Sequence, residues 1–150
     1  MMIREMGKQL QQLQGQFHEI MREAFAKAQN AGLLREEIYE DHEPKWVPRT
    51  GYEFRASDDD GYEFGENSIT LRGRKYCGGG EYDYLSIVIP YDWLDNIDDW
   101  IEAQKKAYDE HERKRLERVS AKEAEEQREA EEAERQRYLE LKSKYEGAVQ

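Results

Sequence analysis

The chain has 150 residues, of which 37% are hydrophobic and 38% are charged, and its formal net charge at pH 7 is −11. One cysteine, Cys77, excludes an intrachain disulfide, and the sequence has neither a membrane-spanning apolar run nor a start typical of a signal peptide. The acidic charge makes direct nucleic-acid binding an unfavourable hypothesis, because proteins that bind phosphates usually present cations. We therefore expect a cytoplasmic protein that does not bind membranes.

Apolar residues concentrate before residue 101, which predicts an α+β protein with a helical extension. Residues 1–32 read as an N-terminal helix, residues 33–93 as an antiparallel sheet region, and residues 94–150 as a long, charged, protruding helix. The acidic excess is largest in the middle, where residues 31–93 carry 7 basic and 14 acidic side chains, a net charge of −7.

The N-terminal helix repeats apolar side chains at spacings of three and four, a pattern typical of a coiled-coil seam. The flanking positions, Met21 among them, carry no opposed charges, so the pattern leaves open whether the seam packs within the chain or against a second copy. We predict a homo-oligomer whose N-terminal seam is Ile3, Met6, Leu10, Leu13, Phe17 and Ile20, continuing to Ala24.

The middle of the chain reads as β-structure. Residues 33–50 contain Pro44 and Pro48, which favour a loop or an edge strand. From Gly51 to Pro90, aromatic and β-branched residues alternate between the turn clusters DDDG, GEN and CGGG, which predicts an antiparallel meander of three or four strands. Alternation assigns the core face to Tyr52, Phe54, Ala56, Ile69, Leu71, Leu85, Ile87 and Ile89.

The opposite face interleaves arginine with tyrosine and leads into a glycine triplet. Glycine amides beside arginines can hold an anion, and tyrosine rings can stack on a base. The plainer interpretation is a flexible hairpin turn with cross-strand ion pairs to Glu53 and Asp83. The candidate binding residues are Arg55, Arg72, Arg74, Tyr76, Gly78, Gly79, Gly80, Tyr82 and Tyr84.

The last helix begins near residue 96, with Asp95 or Asn96 as its cap. Its first part has apolar residues, including Trp100 and Ile101, that can pack on the sheet or on another chain. Beyond Ser120 the segment is alanine and charge until a short second seam. We predict that this seam, formed by Tyr138, Leu141 and Tyr145, contacts a partner or another copy.

No motif for catalysis or metal binding assembles. The sequence lacks a nucleophile and base signature, a P-loop and a dinucleotide fingerprint, so we expect a non-enzymatic protein without a cofactor. His18, His42 and His111 lie in separate segments without zinc-binding spacing, and the DDDG cluster lacks the remaining ligands of a calcium loop. No metal site is predicted.

Residues 74–101, RKYCGGGEYDYLSIVIPYDWLDNIDDWI, resemble small uncharacterised bacteriophage proteins in their order of strand, glycine-rich turn, tyrosine-rich strand and acidic helix start. The resemblance implies expression in a bacterial host cytoplasm and an accessory role, such as binding or blocking a host factor. We therefore favour an oligomeric protein-binding module. The alternatives are a binder of a small anionic ligand or nucleotide, which would act as a sponge, and a structural or scaffold component of a virion.

Overall fold

A computed structural model describes residues 2–40 and 43–149, with side chains described up to Gly147. The elements in chain order are helix α1 (Met2–Asn30), strands β1 (Arg35–Glu40), β2 (Glu43–Pro48), β3 (Glu53–Phe54), β4 (Tyr62–Phe64), β5 (Ser68–Gly78) and β6 (Glu81–Pro90), a 3-10 turn (Tyr91–Asn96) and helix α2 (Ile97–Val149). The predicted α+β class, with a helix at each end of antiparallel β-structure, is confirmed.

The chain divides into two compact units, Met1–Tyr108 and Asp109–Gln150. The first unit contains both sheets and the core. In the second unit, every side chain from Ala121 to Gly147 is exposed. The energetic contribution of this stretch is therefore limited to its own helical hydrogen bonds and ion pairs.

Removing residues 121–150 should leave the unfolding free energy of the first unit unchanged to within about 0.5 kcal/mol, because the deleted side chains described here bury nothing. Thermal unfolding of a chain ending at Ser120, followed by circular dichroism, checks this. A chain ending at Asp95 is the matched control and should lose the transition, since it lacks Trp100 and Ile101, which are 5% and 7% exposed. A weakened transition in the Ser120 chain would contradict the prediction.

The larger sheet is built around β5. Strand β6 pairs with β5 from Ser68↔Pro90 to Gly78↔Glu81, so β3 and β4 share the opposite edge of β5, at Glu53↔Arg74 and Tyr62↔Leu71 respectively. The sheet is antiparallel as expected, but its strand order differs from a simple meander because β3 pairs with β5 rather than with β4. The segment between β3 and β4 is thereby held beside β5.

The core lies between the sheet and α1. The predicted core face is confirmed, with Ile69, Leu71 and Ile89 fully buried and Leu85 partly buried against them. The cover from α1 comes from its C-terminal half, through Met21, Ala24, Phe25 and Ala28, and Leu33, Leu34, Trp100 and Ile101 complete the core.

The packed stripe of α1 differs from the predicted seam at its end. Ile20 is 46% exposed, whereas Met21, expected to flank the seam, is fully buried. The physical reason is the mismatch between a heptad pattern of 3.5 residues per turn and an α-helix of 3.6, which rotates the pattern by about 20° per heptad. By its third repeat the pattern has turned away from the sheet.

Residues 33–50, expected to be a loop or an edge strand, contain a two-stranded antiparallel hairpin. In this hairpin Pro44 lies opposite Tyr39 and Pro48 lies opposite Arg35. Both strands are edges, so proline, which has no amide hydrogen to donate to a further strand, is tolerated in them. His42 lies outside the described residues.

Candidate functional site

The outer face of the larger sheet is the side opposite α1. It carries Arg72, Arg74 and Tyr76 from β5, and the register places Tyr84 opposite Arg74 and Tyr82 opposite Tyr76. These five candidate residues therefore share one face, as alternation predicts. Thr70, Ser86 and Val88 lie on the same face by the same alternation. A binding role for the face stays a prediction.

Three tyrosines give this face its chemistry. Tyr76, Tyr82 and Tyr84 are 60%, 42% and 54% exposed, and Val88 is 55% exposed. The rings of Tyr76 and Tyr82 meet edge to face, with their centroids 5.4 Å apart. The outer face is therefore an amphipathic surface on which rigid aromatic groups lie beside the two arginines.

A cleft of about 410 Å³ adjoins the two arginines. Its lining residues are Asp58, Asp59, Asp60, Gly61, Arg72, Arg74 and Tyr84. The turn formed by residues 58–61 is fixed against β5, because the amide of Arg72 donates a hydrogen bond to the carbonyl oxygen of Gly61 at 2.9 Å. Three carboxylates thus face two guanidinium groups, so the cleft is charged with both signs.

Sequence analysis missed the acidic side of this cleft. The DDDG cluster was interpreted only as a turn, and nothing local in it indicates which strand it lies against. The pairing of β3 and β4 with the same edge of β5 places the turn beside Arg72 and Arg74. Strand β3 consists only of Glu53 and Phe54, and a two-residue strand is too short for its sequence to indicate its pairing partner.

Arg74 is held by its surroundings. Its Nη1 lies 3.8 Å from Oδ2 of Asp58, and its guanidinium carbon lies 4.5 Å from the centre of the Tyr82 ring. Its Nε is buried and has no hydrogen-bond partner among the described residues. Because only 22% of the side chain is exposed, Arg74 contributes to the packing of the face as well as to its charge.

Arg72 is exposed, and its guanidinium forms no ion pair or hydrogen bond with the described side chains. It lies beside Tyr84 at the rim of the cleft. Arg72 is therefore the cation of this face that is available to an incoming group, whereas Arg74 is already engaged with Asp58 and Tyr82.

Arg55 and the glycine triplet do not line the cleft. Arg55 follows β3, and its Nε lies 3.9 Å from Oε1 of Glu53. The triplet has φ angles of 95°, 63° and 78° at Gly78, Gly79 and Gly80, which glycine adopts without strain. Six residue steps along β5, roughly 20 Å, separate Arg72 from Gly78, so the unpaired arginine and the glycine amides do not share one site.

One amide of the glycine turn is already hydrogen-bonded within the hairpin. The amide of Gly80 donates a hydrogen bond to the hydroxyl oxygen of Tyr76 at 3.3 Å. A hairpin with a register shift between Tyr76 and Gly78 accounts for all three glycines. Cys77, near the end of β5, is an exposed free thiol.

The expected cross-strand ion pairs are replaced by others. Glu53 lies opposite Arg74 in the register, but Arg74 is paired with Asp58. Asp83 lies on the core side, opposite Lys75, and accepts a hydrogen bond from the hydroxyl of Tyr52. Burial, and then the Asp83 carboxylate, hold the pKa of Tyr52 well above its usual range.

The two predicted oligomerisation seams are largely exposed. Phe17 packs within the chain, against Phe64, with ring centroids 5.6 Å apart. Ala24, to which the α1 seam continues, is buried in the core. The remaining seam side chains are exposed by 46% or more, and they are Ile3, Met6, Leu10, Leu13 and Ile20 of α1 and Tyr138, Leu141 and Tyr145 of α2. Both seams are free to contact another chain.

Metal-binding geometry is not found in the described part of the chain, where no three His, Cys, Asp or Glu side chains are grouped to hold an ion. His18 lies with Nε2 3.4 Å from the hydroxyl oxygen of Tyr62, at the side of the core. The helices within residues 2–40 and 43–149 include none with the length and hydrophobicity to cross a membrane.

Comparison with known proteins adds no assignment, since no protein-family model, curated protein or solved structure matches the chain. Function has to be inferred from the outer face and its cleft.

Proposed function

We propose that this chain is a non-enzymatic protein-binding module whose outer face is the recognition surface. The observation that carries the proposal is the row of exposed Tyr76, Tyr82 and Tyr84 on the same face as the unpaired guanidinium of Arg72. Tyrosine and arginine are enriched at protein interfaces, because a tyrosine ring buries a large area at low conformational cost and an arginine forms several directional hydrogen bonds.

The charges of the cleft favour a polypeptide partner with a predominantly basic contact region. Exposed Asp59 and Asp60 complement lysine or arginine, and Arg72 at the opposite rim complements a single acidic group. The net charge of −7 over residues 31–93 steers a basic partner toward the same region. Such a surface fixes the orientation of a protein partner by contacts of both signs.

A small anionic ligand is the less favoured occupant. An anion approaching Arg72 also meets Asp58, Asp59 and Asp60, which oppose it electrostatically. The glycine turn compensates little, since the Gly80 amide is bonded to Tyr76 and the turn does not line the cleft. This alternative, and a role as a virion scaffold, are the other outcomes of the experiment below.

The resemblance of residues 74–101 to small bacteriophage proteins supports a host protein as the class of partner and the host cytoplasm as the compartment. Blocking a host factor then requires only tight occupation of its basic surface, without chemistry on it.

The test is capture from a bacterial lysate by the immobilised chain, comparing the parent with Arg72→Glu/Tyr84→Ser. We expect the parent to retain a basic polypeptide that mild salt elutes, and the variant to retain at least tenfold less of it. The thermal unfolding free energy of the variant should stay within about 0.5 kcal/mol of the parent, because both side chains are exposed. Arg74 is avoided, since its packing against Tyr82 would confound the result.

The matched control, Tyr39→Ser/Lys106→Glu, changes the same kinds of residue at exposed positions of the first unit and should retain the polypeptide fully. Equal capture by the Arg72→Glu/Tyr84→Ser variant would remove the outer face as the site. Retention of a nucleotide or other small anion instead, identified by mass spectrometry, would establish the ligand-binding alternative. Assembly with virion proteins alone would establish the scaffold.

A further inference from the structure

The first half of α1 is exposed and packs into no core formed by residues 2–40 and 43–149. We call Met2–Gln16 the α1 arm; every one of its side chains is exposed, and Ile3, Met6, Leu10 and Leu13 are 86%, 57%, 66% and 60% exposed. A helix of this length with glycines at positions 7 and 15 is marginal in water, because each interior glycine weakens it. The arm therefore requires a packing partner to remain helical.

The apolar stripe of the arm continues the stripe that packs on the sheet. About five turns of helix separate Ile3 from Met21 and Leu10 from Ala28, so these residues lie on the same side of α1. The sheet ends below Phe17, where the Phe64 ring that contacts it is still 58% exposed. The unoccupied surface thus comprises the stripe and Phe64 at its base.

We propose that the α1 arm pairs with the α1 arm of a second copy of this chain, in antiparallel orientation. A second copy fits because Ile3 and Leu10 occupy heptad position a and Met6 and Leu13 occupy position d, the spacing that interlocks two helices. The flanking residues Gly7, Gln9, Gln14 and Gln16 are uncharged. Charged flanks would repel each other when two identical stripes meet. Uncharged flanks impose no such repulsion.

Charge favours the antiparallel orientation. A parallel pair would bring together two regions that each carry a net charge of −7 over residues 31–93. An antiparallel pair separates them by about the length of the arm, roughly 22 Å, which exceeds two Debye lengths at physiological ionic strength. Opposed helix dipoles add to the same preference.

The antiparallel orientation also brings opposite charges together. The arm carries Arg4 and Lys8 against Glu5, and its N-terminus is the positive end of the helix dipole. That end meets the Phe64 region of the second copy, where Glu63 and Glu66 are exposed. The same end shields the exposed ring of Phe64.

The pattern fixes a register. Antiparallel coiled coils place an a residue of one helix against a d residue of the other, so Ile3 faces Leu13 of the second copy and Met6 faces its Leu10. All four exposed stripe residues are then used, and Phe17 keeps its contact with Phe64.

Disulfide trapping tests the orientation. In full-length chains carrying Cys77→Ser, a mixture of tagged Met6→Cys and untagged Leu10→Cys proteins, mildly oxidised, should give at least tenfold more covalent dimer than either protein alone. Equal covalent dimer from Met6→Cys alone would overturn the proposal in favour of a parallel pair. No covalent dimer in any sample, with a monomer in sedimentation velocity at micromolar concentration, would overturn self-association.

Introducing two negative charges into the apolar stripe of the α1 arm tests the pairing surface independently of disulfide trapping. Leu10→Glu/Leu13→Glu should raise the dimer dissociation constant at least 100-fold. Neither residue contacts the core, so the thermal unfolding of the variant should match that of the parent at concentrations where both proteins are monomeric. The matched control, Gln11→Glu/Gln12→Glu, adds the same charge on the other sides of the helix and should leave the constant within about threefold. Equal effects of the two pairs would overturn the assignment of the stripe.

Discussion

Replacing Gly73 by valine should abolish the cooperative unfolding transition of the protein. A β-carbon at this position of β5 would lie 2.3 Å from Cζ and 3.0 Å from Cε2 of Phe25, and 3.0 Å from Cβ of Tyr52. Phe25 cannot move aside easily, because it is 2% exposed and stacks on Phe54 with ring centroids 5.6 Å apart. The close approach of α1 to the sheet therefore depends on the absence of a side chain at residue 73.

Gly73→Ala should lower the unfolding free energy by a measurable amount, but less than Gly73→Val. Overpacking by one carbon in a dense core costs about 1–3 kcal/mol, a large part of the 5–15 kcal/mol typical of a domain. Urea unfolding of Gly73→Ala measures this loss. Adding Phe25→Leu removes the ring atom that clashes, so the double variant should lose less stability than the sum of the single variants.

Gly15→Ala is the matched control, since its added carbon meets nothing within 4 Å. It should not lower the unfolding free energy and should increase the helicity of the α1 arm. A Gly73→Ala protein as stable as the parent, to within about 0.5 kcal/mol, would show that α1 can move away from the sheet without loss.

The core face was predictable because a strand buried on one side must alternate. Ile69 and Leu71 of β5 and Ile87 and Ile89 of β6 carry that alternation in their own sequence, and all four are buried. Gly73 continues the same face, but its steric role depends on where α1 crosses the sheet. That contact joins residues 25 and 73, and no local pattern encodes it.

The outer face was predictable for the same reason, and its cleft was not. Arg72, Arg74 and Tyr84 follow from alternation and the glycine-marked hairpin. The position of Asp58, Asp59 and Asp60 depends on which strand pairs with β3, and the alternation around this two-residue strand indicates its buried face but not its neighbour. Strand order is set by tertiary packing, so the acidic half of the site becomes evident only in the fold.

Raising the pH above 10 should destabilise the protein through Tyr52. Its side chain is buried, and its hydroxyl donates a hydrogen bond to Oδ2 of Asp83. Burial first, and the Asp83 carboxylate second, raise the pKa of Tyr52 in the folded state above the value of about 10 found in an unfolded chain. The folded state thus keeps the proton over a pH range in which the unfolded state has released it.

The direction of the pH effect on the unfolding free energy follows from the number of protons that each state binds. Above pH 10 the unfolded chain binds fewer protons than the folded chain, so the unfolding free energy falls as the pH rises. Below pH 10 both states hold the proton, and this contribution to stability is fully present. One proton accounts for at most about 1.4 kcal/mol per pH unit, up to the folded-state pKa of Tyr52.

Tyr52→Phe isolates this effect, because phenylalanine keeps the ring and has no proton to lose. At pH 8 the variant should be less stable by about 1 kcal/mol, the contribution of a typical hydrogen bond. Between pH 10 and pH 11.5 its stability should fall less steeply than that of the parent, so the two urea-unfolding curves converge. Tyr138→Phe, at a position 65% exposed, is the control and should decline in parallel with the parent. An equally steep decline of Tyr52→Phe would show that Tyr52 ionises without opposing the fold.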